Sequence, residues 1–251
     1  MIIGTITLIS MLFFSGALSL FLVEDFDKGI EKYVVEKERR KELLADLKDI
    51  KKTLKDMNEE RDDYIKTLKK LNTNRNTTTA DFMEYQDKLL VQAVKIQDLT
   101  IDSRLQLIKK ITPDEWDQIM AMSATTVQKA KDKLEAKREK GKVKDPFQKF
   151  ESEIEKTVSN PENKEKILST LETYKKDLNM LNEKIASRNV IDNPTFKNKE
   201  ASRDDLKKIA DEVNAIKAKA FEAMVDFHFA IKKQTSEEEW NKIIKTFNKT
   251  W

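Results

Sequence analysis

Proton transfer, nucleophilic attack and metal ligation each need particular side chains brought together, and this chain of 251 residues supplies few of them. His228 is the only histidine, and there is no cysteine. A single imidazole, flanked by Phe227 and Phe229, cannot supply a histidine-based metal set, and its setting predicts a packed side chain rather than a ligand. The missing thiols rule out disulfides, thiolate metal sites and a cysteine nucleophile. Carboxylates are abundant, with 45 Asp and Glu, but abundance on charged helices is not a pair held in one pocket. Gly29 and Gly141 are the only glycines beyond residue 23, so there is no Gly-rich phosphate loop. The expectation is a protein that is not an enzyme, with no catalytic residue, no metal site and no cofactor. Three side chains remain as candidates for contact with a partner: Arg61, Trp116 and Trp240. Large aromatics anchor interfaces, although a tryptophan at a helix start is more often a core staple.

The two tryptophans belong to a repeat. A shift of 124 positions lays Trp116 on Trp240, and the same ungapped shift lays residues 26–34 on 150–158. Between these ends Leu44, Leu47, Lys51 and Leu54 fall on Leu168, Leu171, Lys175 and Leu178, and Asp81, Asp102 and Glu115 fall on Asp205, Asp226 and Glu239. About 23 identities in roughly 105 pairs exceed the seven or eight expected of unrelated Lys/Glu/Leu-rich helices. The organisation read from this is an apolar segment at 1–23, a first copy at 24–140, a linker at 141–146 and a second copy at 147–251.

Composition gives the fold class. With 37% charged residues and only four Gly and four Pro, the chain fits long helices and not a sheet-based core. A net charge of +3, the small difference between 48 basic and 45 acidic residues, offers no general case for nucleic acid. One run, residues 128–146, holds eight basic and four acidic side chains. It reads either as a patch for an anionic polymer or lipid, or as a solvated helix end with a linker, and the second fits its mixed charge better.

Residues 1–23 carry no charge, and about 20 apolar residues in a helix span a bilayer core. Ala17-Leu18-Ser19 resembles a cleavage site, but no Lys or Arg precedes the apolar run, so an uncleaved single-pass anchor is the expectation. Lys28, Lys32, Lys37, Arg39, Arg40 and Lys41 follow it closely, which favours a cytoplasmic body. Long domains translocate regardless of such charges, however.

After the anchor the sequence reads as one continuous helix from 24 to 71, roughly 70 Å long. Leu47, Ile50, Leu54, Met57, Tyr64, Leu68 and Leu71 mark a heptad seam along it, broken by Arg61. By the shift, Arg61 falls on apolar Ile185, so Arg61 is expected to meet a neighbouring subunit or solvent. Polar residues 72–76 end the helix, and the threonines at 77–79 start the next. That helix has two apolar stripes, through Phe82, Leu89 and Ile96 and through Leu90, Val94 and Ile101, so it should have neighbours on both sides. Thr112-Pro113-Asp114-Glu115 then starts a third helix, running to about Lys140, by a capping box with Pro at the first position. In the second copy Asn160-Pro161 starts a helix where the first copy has Lys37 inside a continuous one, Asn193-Pro194 lies in a loop, and Ser236-Glu237-Glu238-Glu239 repeats the capped restart. The whole is all-α: an N-terminal transmembrane helix followed by two tandem, duplicated three-helix coiled-coil-rich modules.

Ile111-Thr112-Pro113-Asp114-Glu115-Trp116 resembles the Leu-Thr-x-x-Gln motif of CpxP/Spy-type periplasmic proteins over about ten residues per copy, with Glu115 where that family has Gln. The resemblance implies a helical, extracytoplasmic chaperone or envelope-stress sensor. With the absent cysteine, it tips the expected location of the body to the extracytoplasmic side. The first expectation for function is nevertheless a membrane-anchored scaffold or accessory subunit. It would contact the bilayer through 1–23 and other membrane-complex subunits through its helices; a homo-oligomer is compatible with this, and nucleic acid is not an expected partner.

Overall fold

A computed structural model describes residues 25–59, 61–139, 147–187 and 193–250. Among the described residues there are helices and no strands. The first copy forms α1 (Phe26–Tyr33), α2 (Lys37–Glu59), α3 (Arg61–Thr73), α4 (Thr79–Lys109) and α5 (Pro113–Glu139). The second forms α6 (Gln148–Thr157), α7 (Pro161–Ser187), α8 (Pro194–Lys197), α9 (Arg203–Gln234) and α10 (Glu237–Thr250). No helix among the described residues is long and apolar enough to cross a membrane, and the proposed anchor at 1–23 and linker at 141–146 lie outside the described residues.

The starts of α2 and α7, α4 and α9, and α5 and α10 coincide under the shift of 124, and so do the caps of the last two pairs. Thr78 and Ser202 each take the backbone N–H of an aspartate three residues on, Asp81 or Asp205, whose carboxylate accepts the cap residue's own N–H. Such a box satisfies two backbone donors that a helix start otherwise leaves open. Thr112 with Glu115 and Ser236 with Glu239 repeat the device at the starts of α5 and α10.

Two expectations are corrected by the helix bounds. The continuous helix from 24 to 71 does not exist: α1 ends at Tyr33, the chain extends through residues 34–36, and Lys37 starts α2 as its counterpart Pro161 starts α7. Tertiary packing overrides the helix-permissive sequence. Phe26 and Ile30 on α1 and Val34 just after it are buried, and only a break in the helix lets α1 fold back so that Asp27 reaches Lys51 of α2 at 2.8 Å. Glu151 and Lys175 make the equivalent ion pair between α6 and α7. Residues 194–197, expected as loop, form the one-turn α8 under a side-chain cap from Asn193.

The core is organised around α4 and α9, which run antiparallel. As α4 proceeds from Gln86 to Asp102, its partners on α9 run backwards from Ala218 to Arg203. Each long helix is covered on another side by its own copy, α4 by α2 and α9 by α7, which accounts for the two apolar stripes. At the periphery α1 lies on α5, and α6 on α10. The repeats therefore pair across an approximate two-fold axis through the middle of α4 and α9.

Candidate functional site at the junction of the two copies

The tryptophans lie at opposite ends of this antiparallel pair, and each site draws on both copies. Trp116, on the first turn of α5, is 1% exposed and donates its indole N–H to the carbonyl of Lys197 at 2.7 Å. Trp240, on the first turn of α10, is fully buried and points its indole N–H at the carbonyl of Thr73 at 3.5 Å. The shift of 124 relates Thr73 to Lys197 as it relates Trp116 to Trp240, so the exchange is reciprocal. Both rings serve the chain's own core, and neither is presented on the outer surface as a partner anchor. Arg61 starts α3, but its side chain, like that of Ile185, lies outside the described set.

Over each indole sits a polar residue from the copy's own long helix. The Arg104 guanidinium lies 4.7 Å above the Trp116 ring and 5.9 Å from that of Phe196, and donates to the Phe196 carbonyl at 2.6 Å. Burial pulls its pKa down to about 10, so it stays charged at neutral pH while held between two aromatic faces. The equivalent residue is His228, edge-on to Trp240 with centroids 4.8 Å apart and in contact with Phe82 and Phe229. Its Nδ1 is 2.7 Å from Oδ1 of Asn72, the counterpart of Phe196. The Asn72 amide nitrogen donates to Asn248 at 2.9 Å, which leaves only its oxygen for the imidazole. His228 therefore carries its proton on Nδ1 and donates it. Burial, reinforced by nearby Lys232, lowers its pKa to about 3, so the ring is neutral, and among the described residues Nε2 has no hydrogen-bond partner.

Two further arginines close the helix ends at these sites. Arg75, from the α3–α4 turn, donates to the carbonyls of Lys232, Thr235 and Ser236 at 2.5–3.0 Å, tying the first copy to the C-terminal end of α9. Arg39 of α2 does the matching work within the first copy, forking onto both Glu115 carboxylate oxygens at 3.0 and 2.6 Å and reaching the Lys110 carbonyl. Burial raises the Glu115 pKa, but the Thr112 backbone N–H and Arg39 outweigh it and hold the carboxyl below its ordinary value. Sequence reading singled out the tryptophans and expected His228 to be a packed side chain, as it is. It missed Asn72, Arg75 and Arg39, whose partners are 71 to 176 positions distant.

The chemistry available here is structural. A guanidinium between aromatic faces and a neutral imidazole far from its protonation range do not exchange protons at neutral pH. A groove of about 550 Å³ between α6 and α7 carries Glu151, Glu155, Glu165 and Glu172 with Lys164, but no three metal-ligating side chains among the described residues converge as a metal set. Exposed large hydrophobics among the described residues are scattered, at Val35, Val91 and Met180. No protein-family model, curated protein or solved structure matches this chain.

Proposed function

We propose that this protein is a membrane-anchored helical scaffold or accessory subunit, which works by holding partner proteins of a membrane complex at a fixed position relative to the bilayer. The observation that carries the proposal is the way α1 is docked. Phe26 and Ile30 on it and Val34 just after it are buried, the Phe26 ring meets Trp116 at 6.2 Å, and Gly29 lets the side chain of Ile119 on α5 come within contact of the helix. Only Glu24 and Asp25 separate this helix from the uncharged stretch 1–23. Asp25 is itself fixed, in a left-handed conformation at φ 60° that an aspartate tolerates, by Lys28 and Thr126. An anchor in 1–23 would thus be joined to the body without a slack tether, which suits positioning more than capture.

The rival reading, a client-binding chaperone or envelope-stress sensor of the CpxP/Spy kind, calls for a continuous apolar surface. The scattered Val35, Val91 and Met180 give it little support. Extraction of native membranes at alkaline pH tests the anchor: the full chain is expected in the pellet and a chain lacking residues 2–23 in the supernatant. Purification in mild detergent tests the scaffold, with partners of fixed stoichiometry expected. Recovery of the protein alone, or with a shifting set of unfolded clients, overturns it.

A further inference from the structure

Two copies of one fold act as each other's control: an exposed pattern that only one of them carries is not required by the fold. Helix α2 is buried through Leu43, Leu47 and Leu54. At about 100° per residue, the ridge opposite that face carries Ala45 and Lys52. Along one flank of the ridge run Lys41, Lys48 and Lys55, and along the other run Glu42, Asp49 and Asp56. All of these side chains are exposed. Each row has a heptad spacing, which drifts only about 20° per repeat, so both stay nearly straight over about 22 Å. Glu42 meets Lys110 at 2.6 Å, whereas among the described residues Lys41, Lys48, Lys55, Asp49 and Asp56 make no ion pair. Adjacent members of the two rows are neighbours in sequence, and such residues do not face one another on a helix. On α7 the equivalent positions hold Glu165 and Lys166, Glu172 and Thr173, and Asn179 and Met180, so neither row exists there.

A partner of uniform charge would be repelled by one row wherever it is drawn to the other. A second α2 laid alongside in the same direction is not, because a two-fold axis parallel to the helices turns its acidic row toward the basic one. We propose that the outer ridge of α2 is a self-association surface, which docks α2 of a second copy of this chain parallel and in register. Lys41, Lys48 and Lys55 then lie level with Glu42, Asp49 and Asp56 of the second copy, offset by about 1.5 Å along the axis, and the reciprocal pairs form on the other side, as an isologous contact requires. Ala45 faces its own mate, where a small side chain lets the helices approach. Lys52 faces its mate too, and its flexible stem turns the ammonium to Asp49 or Asp56 beside it. Antiparallel packing sets lysine row against lysine row, and the same charges oppose it. Exposed ion pairs are individually weak and screened by salt, so the association is reversible and salt-sensitive.

Sedimentation of the full chain in mild non-ionic detergent is expected to show a dimer at low salt whose dissociation constant rises about tenfold or more on going to about 0.5 M salt. Lys48→Glu with Lys55→Glu, and Asp49→Lys with Asp56→Lys, leave the Glu42–Lys110 pair in place. Each double variant should weaken the dimer by about tenfold or more, and an equimolar mixture of the two should recover the wild-type affinity, since each then meets the charges it lacks. The chain has no cysteine, so Ala45→Cys reports the direction of packing: mild oxidation is expected to link it to its mate. Val91→Cys, exposed on α4, should stay unlinked. A monomer at low salt overturns the proposal. A dimer indifferent to salt and to both reversals is held by another surface and overturns it equally, as does a mixture no tighter than either variant alone. Failure of Ala45→Cys to link, or linking at Val91 to the same extent, overturns the parallel contact at this ridge.

Discussion

Arg104 and His228 occupy equivalent positions on α4 and α9, yet at neutral pH one is charged and the other is not. Arginine keeps its proton even when desolvated, because its ordinary pKa is so high; histidine does not, and burial decides its state. The folded pKa of His228 is about 3 against an unfolded value of 6.5. As pH falls below 6.5 the unfolded chain takes up a proton that the folded chain refuses, so stability falls progressively down to about pH 3. His228→Gln keeps a donor for Asn72 and removes the titration. At pH 4 the wild type should have lost on the order of 3 kcal/mol relative to this variant, compared with pH 7, by urea unfolding at both pH values. A parallel pH response of the two proteins would show that His228 is not buried as described. Lys217 has the same sign in a higher pH window. It is 3% exposed on α9, and desolvation lowers its pKa to about 8 from 10.5. The cost of burying its charge is fully present below pH 8 and is relieved as pH rises to 10.5. Lys217→Met should therefore stabilise the protein at pH 7 by up to about 3 kcal/mol, an advantage that shrinks by pH 10. An advantage independent of pH would point to packing instead of charge.

At the scale of elements, the contact between α1 and α5 depends on one missing methyl group. A Cβ at Gly29 would sit 3.0 Å from Cγ2 of Ile119, which is fully buried. Alanine gains about 1 kcal/mol of helix propensity over glycine, but overpacking a filled core costs about 1–3 kcal/mol, so Gly29→Ala should be net destabilising. Adding Ile119→Val, which gives back space at the contact, should recover most of the loss in thermal melts; no recovery would mean that α1 lies further from α5. The second copy has Glu153 at the same position, which bonds Thr157 on its own helix, so α6 and α10 solve the contact differently. Helix starts were legible in the sequence where a cap and a restart coincide, as at Thr78, Thr112 and Ser236, whereas the cap at Ser202 came only with the structure. The turn at residues 34–36 was not. Val-Val-Glu contains neither Gly nor Pro, and nothing local opposes a helix there. What breaks it is the burial of Val34 and the fold-back of α1, both of which depend on α5, some 80 positions further on. The shift of 124 held the clue, since Pro161 at the matching position does stop a helix from running through.

For the whole molecule, the repeat offset says which residues are equivalent but not which copy completes which site. Two self-contained modules and two interlocked halves have the same internal similarity, and only the three-dimensional arrangement separates them. The expectation of tandem modules placed each tryptophan in its own copy; the structure has each indole facing a carbonyl of the other. The Asn72–His228 and Asn72–Asn248 bonds, the three Arg75 contacts and the Arg203 ion pairs with Asp98 and Asp102 also cross between copies. With α4 and α9 sharing one core, neither half can bury its apolar surface alone, and an exposed surface of that kind is what makes isolated fragments unfold. The two copies should therefore unfold as one unit. A specific protease site placed within residues 141–146 puts this to the test. After cleavage the halves are expected to coelute on gel filtration and to melt in a single transition, whereas the halves expressed separately should show little helix by circular dichroism until mixed. Trp240→Phe and Trp116→Phe should each lower that shared transition, since each removes a cross-copy hydrogen bond worth about 1 kcal/mol. If the cleaved halves separate and each keeps a cooperative melt of its own, the copies are independent modules and the reciprocal tryptophan sites do not hold them together.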